Sequence, residues 1–161
     1  MNQINCNQEG VTLIMTKRVR IVSFMNISSR CDYACRAVVE LAESAQADKP
    51  MTAAAIAEKR EIPEKYLVHI LLQLKKAGVV RSIRGAQGGY LLARSPEAVS
   101  LLDIVTAVDG PVLDPLPGEN HKSESLTSAW KGVAGSLETS LQGITIQSIV
   151  DRASKSDMYF I

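Results

Sequence analysis

The chain has 161 residues, a formal net charge of +1, 46% hydrophobic residues and 22% charged residues. This is the size and composition of one globular domain with a buried core and, at most, a helical appendage. No run of about 18 apolar residues occurs, so we expect no membrane-spanning helix and no membrane partner. The three cysteines are too few and odd in number for a secreted disulfide framework, which favours a cytoplasmic protein with reduced thiols.

The charge is distributed unevenly along the chain. Residues 59–94 contain eight lysines and arginines but only two glutamates, residues 95–161 contain four cations and nine anions, and residues 1–58 are balanced. A basic segment in a nearly neutral protein is typical of a surface that binds a polyanion. Taken alone, the same pattern also fits a solvated basic face without a ligand.

The first 24 residues differ from the rest of the chain. They are polar and then alternately basic and apolar, an order unlike that of a signal peptide. Met15 and Met25 are both alternative starts, and the patterned sequence begins after Met25. We interpret residues 1–24 as a disordered extension or a wrongly assigned start.

Apolar spacing and capping residues predict three helices in the next part of the chain. The first runs from about residue 28 to 45, the second covers residues 53–60 with Thr52 as its N-cap, and the third runs from residue 63 to about 77. The second and third are separated by only three residues, which is the spacing of a helix-turn-helix. Thr52 is therefore also a candidate DNA-binding residue.

The third predicted helix has one apolar face and one mixed face. Its apolar residues have the i, i+3, i+4, i+7 spacing of a buried stripe and are Leu67, Ile70, Leu71 and Leu74. The residues that point elsewhere are candidates for contacts with base edges and phosphates, and they are Lys65, Tyr66, Val68, His69 and Gln73.

A glycine-rich hairpin is predicted after this helix. Two short apolar or β-branched runs, residues 79–84 and 90–93, flank the tip Gly-Ala-Gln-Gly-Gly. Neither GxGxxG nor a following Gly-Lys-Ser/Thr is present, so a nucleotide-binding loop is not indicated. A wing fits better, because glycines allow a tight tip and an arginine at its edge can enter a minor groove. The candidate DNA contacts of this wing are Arg81, Arg84 and Gln87.

The C-terminal part is predicted to contain three more helices. The fourth helix ends near residue 109, a proline-containing loop follows, and a last short helix begins at about residue 146. Between the loop and the last helix, one long helix carries an apolar stripe at gaps of three and four residues. This stripe either packs on its own domain or pairs with a second copy. It consists of Leu126, Trp130, Val133, Leu137, Leu141 and Ile144.

Three segments resemble a known family. MNISSRCDYACRA at residues 25–37, IPEKYL at 62–67 with LKKAGVV at 74–80, and RSIRGAQGGYL at 81–91 are similar to the Rrf2 family of bacterial transcriptional regulators. The resemblance covers roughly residues 25–153. It implies a mainly α winged helix-turn-helix with a small β-hairpin wing, a homodimer formed by the long helix, and a palindromic operator in double-stranded DNA.

The resemblance also implies a division of the chain and a role for the wing. Residues 25–110 would form the DNA-binding domain, 111–125 the sensor loop, and 126–161 the dimerisation helix and C-terminal helix. Arg84 matches the wing arginine of the family. Val68 and His69 stand where members commonly carry glutamate and glutamine, so the base preference is not transferred. Val68 offers an apolar contact to a thymine methyl group and His69 a hydrogen bond.

The sensor loop departs from the family pattern. Many members hold an iron–sulfur cluster through three cysteines there, whereas this loop contains none. Its potential ligands are Asp114, Glu119 and His121, and Glu124 falls at the family's last ligand position. On the first helix, Asp32 occupies a position from which some cluster-bearing relatives ligate the cluster of their partner. Iron–sulfur chemistry requires thiolates. We therefore expect no iron–sulfur cluster, no other metal cofactor, and DNA binding without either.

The signal that controls the protein is left open by the sequence. Cys31 and Cys35 share one face of the first helix and are either buried small hydrophobes, redox-responsive thiols or ligands of a metal with a further donor. A small molecule or a partner protein is the alternative effector. We expect a repressor. A winged helix that binds protein instead of DNA is the competing class, and an enzyme is not indicated because no set of nucleophile, base and acid is present.

Overall fold

The computed structural model describes residues 27–45, 49–113 and 124–157. These residues form six α-helices and a two-stranded antiparallel hairpin, which confirms the mainly α winged-helix class. The predicted extension at 1–24 and most of the loop at 111–125 lie outside the described residues. The elements in chain order are α1 (Ser29–Glu43), α2 (Ala53–Arg60), α3 (Glu64–Lys76), β1 (Val80–Ile83), β2 (Gly89–Leu92), α4 (Leu101–Val108), α5 (Glu124–Gln142) and α6 (Ile146–Asp157).

Side-chain caps fix the beginnings of three helices. The hydroxyl of Ser28 accepts a hydrogen bond from the N–H of Cys31 at the start of α1, at 3.0 Å. Thr52 caps α2 in the same way, as its sequence position predicts. At α4, Ser100 and Asp103 form a reciprocal capping box. Each cap satisfies an N–H group that has no partner inside its helix.

The turn between α2 and α3 is short and sharply bent. Glu61 follows α2 in the left-handed backbone region, with φ of 53°. The N–H of Ile62 then donates to the carbonyl of Ala57 at 2.9 Å, and Pro63 leads directly into α3. The buried side chain of Ile62 holds this turn against the core. The two helices of the helix-turn-helix are thereby fixed relative to each other.

The core lies where α1, α2, α3 and α4 meet. The apolar face predicted for α3 is confirmed, because all four of its residues are at most 1% exposed and pack in the central cluster with α1. Val38 and Leu41 of α1 and Ile104 of α4 lie in the same cluster. Full burial of a leucine or isoleucine stabilises a fold by about 1.5–3 kcal/mol. Because these four side chains attach α3 to the core, the opposite face of the helix is not needed for packing.

The C-terminal helix α6 belongs to this core as well. Ile146 at its start is completely buried in the central cluster, and Ile149 and Val150 pack against it. The chain is secured on both sides of Thr145, because the N–H of Leu101 donates to the carbonyl of Ile144 and the N–H of Ile146 donates to the carbonyl of Val99, each at 2.9 Å. The core therefore extends beyond the 25–110 range that the sequence assigns to the DNA-binding domain.

The hairpin is joined to the helix-turn-helix at its base. Its register pairs Val80 with Leu92 and Ile83 with Gly89. Next to the Ile83–Gly89 pair, Met51 and Tyr90 exchange two backbone hydrogen bonds of 3.0 and 2.7 Å. A Cβ atom at Gly89 would overlap the carbonyl oxygen of Met51, so this close approach requires glycine. β1 is two residues shorter than its predicted run, whereas β2 has the predicted length and begins one residue earlier, at Gly89.

Candidate nucleic-acid interface

The outward face of α3 is exposed as expected. Lys65, Tyr66, Val68 and His69 all lie on the surface. The ammonium nitrogen of Lys65 is 5.3 Å from the centre of the Tyr66 ring, within the range of a cation–π contact. The first two turns of α3 thus present a cation, a phenol, an imidazole and an apolar side chain to solvent. This is the mixture that base edges and phosphates require.

Gln73 is placed differently from the other predicted contacts on α3. Its side chain is half-buried, and its Oε1 accepts a hydrogen bond from Nη2 of Arg30 at 2.9 Å. The same nitrogen of Arg30 donates to the carbonyl of Val108 at 3.0 Å. Arg30 thus connects the start of α1 to α3 and to the end of α4, and Gln73 supports the position of α3. This contact could not be predicted from local sequence patterns, because it joins residues far apart in the chain.

Leu72 is an exposed α3 residue outside the predicted set of DNA contacts. It is 47% exposed although three of its neighbouring leucines and isoleucines are buried. It lies four residues after Val68 and three after His69, so it shares their face. This spacing is the signal that identifies it once the buried face is known.

The wing presents three polar side chains around a closed tip. The N–H of Gly88 donates to the carbonyl of Gly85 at 3.0 Å and closes the turn. Arg81, Arg84 and Gln87 are exposed, and neither guanidinium group forms an ion pair within the described part of the chain. Charged groups without an internal partner are available for a polyanion.

A link between Lys75 and Ser82 joins α3 to the wing. The ammonium group of Lys75 donates to the hydroxyl of Ser82 at 2.6 Å. This bond and the Met51–Tyr90 bridge hold the hairpin at two places. The position of the wing relative to α3 is therefore fixed by contacts within the chain.

Part of the basic segment is paired with carboxylates of the same chain. Lys59 and Arg60 form ion pairs with the buried carboxylate of Glu40, at 2.9 and 2.7 Å, and Arg94 pairs with Asp103 at 3.4 Å. The charge counted along residues 59–94 therefore overstates the charge that faces a ligand. The cations of this segment without an ion pair among the described residues are Lys65, Lys75, Lys76, Arg81 and Arg84.

Glu40 anchors α2 to α1 through these ion pairs. Burial raises the pKa of this carboxyl, but the hydrogen bonds from Lys59 and Arg60 outweigh burial and lower the pKa below its ordinary value of 4.5. Arg60 also pairs with Glu43, one turn along α1. The ionised form of Glu40 is thus the form that holds the first helix of the helix-turn-helix in place.

The predicted apolar stripe of α5 lies on the surface of the single chain. Leu126, Trp130, Val133 and Leu137 are 40–57% exposed, and Ala134 is the one buried residue of this helix among those whose exposure is described. The stripe ends earlier than predicted. Leu141 is half-buried, and Ile144 lies beyond the end of α5 at Gln142, where its carbonyl is bonded to α4.

Cys31 and Cys35 form a thiol pair at the start of α1. Cys31 is buried and Cys35 half-buried, and their thiols share a hydrogen bond. This bond lowers the pKa of Cys31, against burial and the carboxylates of Asp109 and Asp32, which raise it. The same bond and burial raise the pKa of Cys35 well above its ordinary range. Cys31 is therefore the more acidic thiol of the pair.

Donors for a metal are scarce in the part of the chain that the structure describes. No group of three or more histidine, cysteine, aspartate or glutamate side chains is close enough there to hold an ion. The side chain of Asp32 instead pairs with Arg36 at 2.7 Å. The predicted loop residues Asp114, Glu119 and His121 lie outside the described residues. Across residues 27–45, 49–113 and 124–157, no helix combines the length and apolarity needed to span a bilayer.

A helix-turn-helix with an exposed, partly basic α3 and an arginine-edged wing defines a winged-helix DNA-binding protein. The family model for Rrf2, described as an iron-dependent transcriptional regulator, matches residues 27–152. The chain belongs to the Rrf2 family and is a DNA-binding transcriptional regulator. The resemblance seen in the sequence is confirmed.

Individual relatives show the same class. An rrf2-like HTH-type transcriptional regulator of Rhodobacter capsulatus is 46% identical over 93 residues, which are 56% of this chain and 61% of that relative. An HTH-type regulator of Mycobacterium tuberculosis is 33% identical, covering 80% of this chain and 83% of the relative.

Solved structures agree with the fold. T. potens IscR superposes with a TM-score of 0.67 at 30% identity, covering 85% of this chain and 98% of the other. CymR, the global cysteine regulator of B. subtilis, has a TM-score of 0.68 at 27% identity, covering 80% and 98%.

Proposed function

We propose that this regulator is a homodimeric repressor that binds an inverted-repeat operator, with α3 in the major groove and the wing at the flanking minor groove of each half-site. The observation that carries the proposal is the exposed stripe of α5, four large apolar side chains on one face of a 19-residue helix. Exposed apolar patches of this kind are typical of protein interfaces. Pairing two stripes about a two-fold axis presents two copies of α3 to one duplex.

The charge on the proposed DNA face sets the salt dependence of binding. Five cations of residues 59–94 lack an ion pair within the described residues of each protomer, so a dimer offers about ten on this face, and the slope of log K against log salt is expected to lie between about −4 and −9. The measurement is fluorescence anisotropy with a duplex selected from genomic fragments. A flat salt response would contradict the proposal.

Two matched lysine variants make this measurement specific. Lys76 has no ion pair among the described residues, whereas Lys59 is paired with Glu40. Lys76→Ala should reduce the steepness of the slope by about 2, one phosphate contact per protomer, and Lys59→Ala should leave it unchanged. Equal effects of both variants would show that the DNA face is misplaced. In cells, loss of the gene should raise transcription from the operator's promoter if the protein represses.

The donor set does not fit an iron–sulfur cluster, although the family is described as iron-dependent. The chain has three cysteines, none between residues 110 and 125, and the donors in that segment are carboxylates and one imidazole. We therefore propose DNA binding without a cluster. Protein purified without oxygen should be colourless, contain less than about 0.2 iron per chain and shift operator DNA as isolated. A brown preparation with stoichiometric iron and sulfide would contradict this, and Asp32, His121 and Glu124 would be the first ligands to test.

The thiol pair is the effector site that the contacts favour. Cys31 lies next to Arg30, whose guanidinium group connects α1 to Gln73 of α3. Residues i and i+4 of a helix have Cβ atoms about 5–6 Å apart, whereas a disulfide needs about 3.5–4.5 Å. A peroxide that takes two electrons and two protons from the thiols, forming a disulfide and water, would therefore have to distort the first turn of α1. We propose that this distortion releases Arg30 and weakens DNA binding.

The test of the thiol pair uses protein with Cys6→Ser, so that only two thiols are present. One equivalent of peroxide should remove both free thiols, lower the mass by two hydrogens and weaken operator binding reversibly. Cys35→Ser should abolish the mass change, and Arg30→Ala should weaken binding of the reduced protein. If a disulfide forms without a change in affinity, or if none forms, the thiols are packing residues and a small molecule or partner protein is the effector.

A further inference from the structure

The exposed face of α3 contains an apolar ridge formed by Val68 and Leu72. The two residues are one helical turn apart and are 39% and 47% exposed. The core does not need them, because the opposite face of α3 is completely buried by its own four leucine and isoleucine side chains. Exposing large apolar side chains to water costs free energy, and this cost is removed when another surface covers them.

Charge around the ridge indicates what covers it. Lys65 and Lys76 lie on the same face of α3, one toward each end of the ridge, and neither forms an ion pair within the described residues. The surface that meets this face must therefore be anionic at its edges and apolar at its centre. In the major groove of a duplex, phosphates form the edges, and the apolar groups on base edges are the C5 methyl groups of thymine.

We infer that Val68 and Leu72 each contact a thymine methyl group in every half-site, and that Leu72 is a specificity-determining residue. The inference rests on the proposed function. Four residues of α-helix advance about 6 Å, close to two base-pair steps of about 3.4 Å each. The two A·T pairs therefore lie within about two steps of each other. His69 lies beside the ridge and reads a polar base edge next to them.

The first step of the test is selection of binding duplexes from a random pool with the full chain. The selected sites should contain an inverted repeat with two thymines at fixed positions in each half. Replacing one such thymine by deoxyuridine removes only the methyl group and keeps base pairing. Loss of one buried methyl group corresponds to about a fourfold weaker affinity, so the same change in both half-sites should weaken binding about 15-fold.

The second step assigns the methyl groups to side chains. Leu72→Gln keeps good helix propensity and replaces the apolar tip by an amide. For this variant, thymine and deoxyuridine at the matching position should bind with about equal affinity, while the thymine assigned to Val68 keeps its effect. Lys76→Ala is the control, because loss of a phosphate contact weakens both duplexes equally.

The outcomes separate the inference from the function on which it depends. Selected sites that bind deoxyuridine and thymine equally well would overturn the inference and leave the DNA-binding dimer intact. Unchanged affinity and unchanged thymine preference in Leu72→Gln would also overturn it, since the ridge would then face something other than DNA. Failure to enrich any duplex would overturn the proposed operator binding itself.

Discussion

Replacing Leu137 by aspartate tests the proposed dimer most directly. Leu137 is 40% exposed in the single chain, so pairing of α5 buries the remainder of its side chain. If complete burial of leucine is worth about 1.5–3 kcal/mol, this remainder contributes about 1 kcal/mol per protomer and about 2 kcal/mol per dimer. An aspartate at the same place must also lose water at an apolar contact, which adds at least a similar cost. Leu137→Asp should weaken dimerisation by about 4 kcal/mol, or roughly 1,000-fold.

Sedimentation equilibrium across a range of concentrations measures this change. Ser128→Asp is the matched control, because it introduces the same charge on an exposed position of α5 about half a turn away from Leu137 around the helix axis. The control should remain dimeric and bind the operator normally. Leu137→Asp should be monomeric at micromolar concentration and should bind a palindromic duplex little better than a single half-site. A stable dimer of Leu137→Asp would refute the placement of the interface on this stripe.

Two further variants test the wing and the anchor of the helix-turn-helix. Arg84→Ala should weaken operator binding by about 1–3 kcal/mol. The guanidinium group of Arg94 is paired with Asp103, so Arg94→Ala should have a smaller effect. If Arg84→Ala weakens binding to random DNA equally, Arg84 contacts only a phosphate. Glu40→Gln should lower the free energy of unfolding by about 2 kcal/mol at neutral pH, and the more exposed Glu43→Gln by less, as urea denaturation can measure. Because the folded-state pKa of Glu40 is lowered, its contribution is present above pH 4.5 and is lost as the pH falls through the folded-state value, so the wild type and Glu40→Gln should converge in acid. A constant difference between them down to pH 2 would contradict this assignment.

The sequence predicted the elements whose pattern is local. The buried face of α3 follows from spacing within one helix, and the cap at Thr52 follows from one residue and its neighbours. The hairpin followed from two apolar runs around glycines. These features depend on few residues that are close in the chain, so a single sequence contains the information they require.

The features that the sequence did not predict depend on contacts between distant segments. Gln73 has the polarity and helical position of a base-contacting residue, and only the packing of α1 against α3 shows that Arg30 holds it. Likewise, net charge along a segment does not show that Lys59 is neutralised by a carboxylate of α1. Leu72 is an exception, because the spacing that defines the buried face of α3 also places Leu72 outside that face, so its exposure follows from the sequence.

The two backbone bonds around Thr145 have a consequence for operator length. They hold the segment that connects α5 to α6 against the start of α4, which packs with α3. The chain is therefore tied to the core directly after α5, on the path from the proposed two-fold axis to the recognition helix. Inserting one base pair between half-sites shifts them by about 3.4 Å and rotates them by about 34–36°. The two recognition helices of such a dimer should keep a fixed separation. The dimer should therefore bind half-sites at one spacing and bind weakly when the spacing is one base pair longer or shorter.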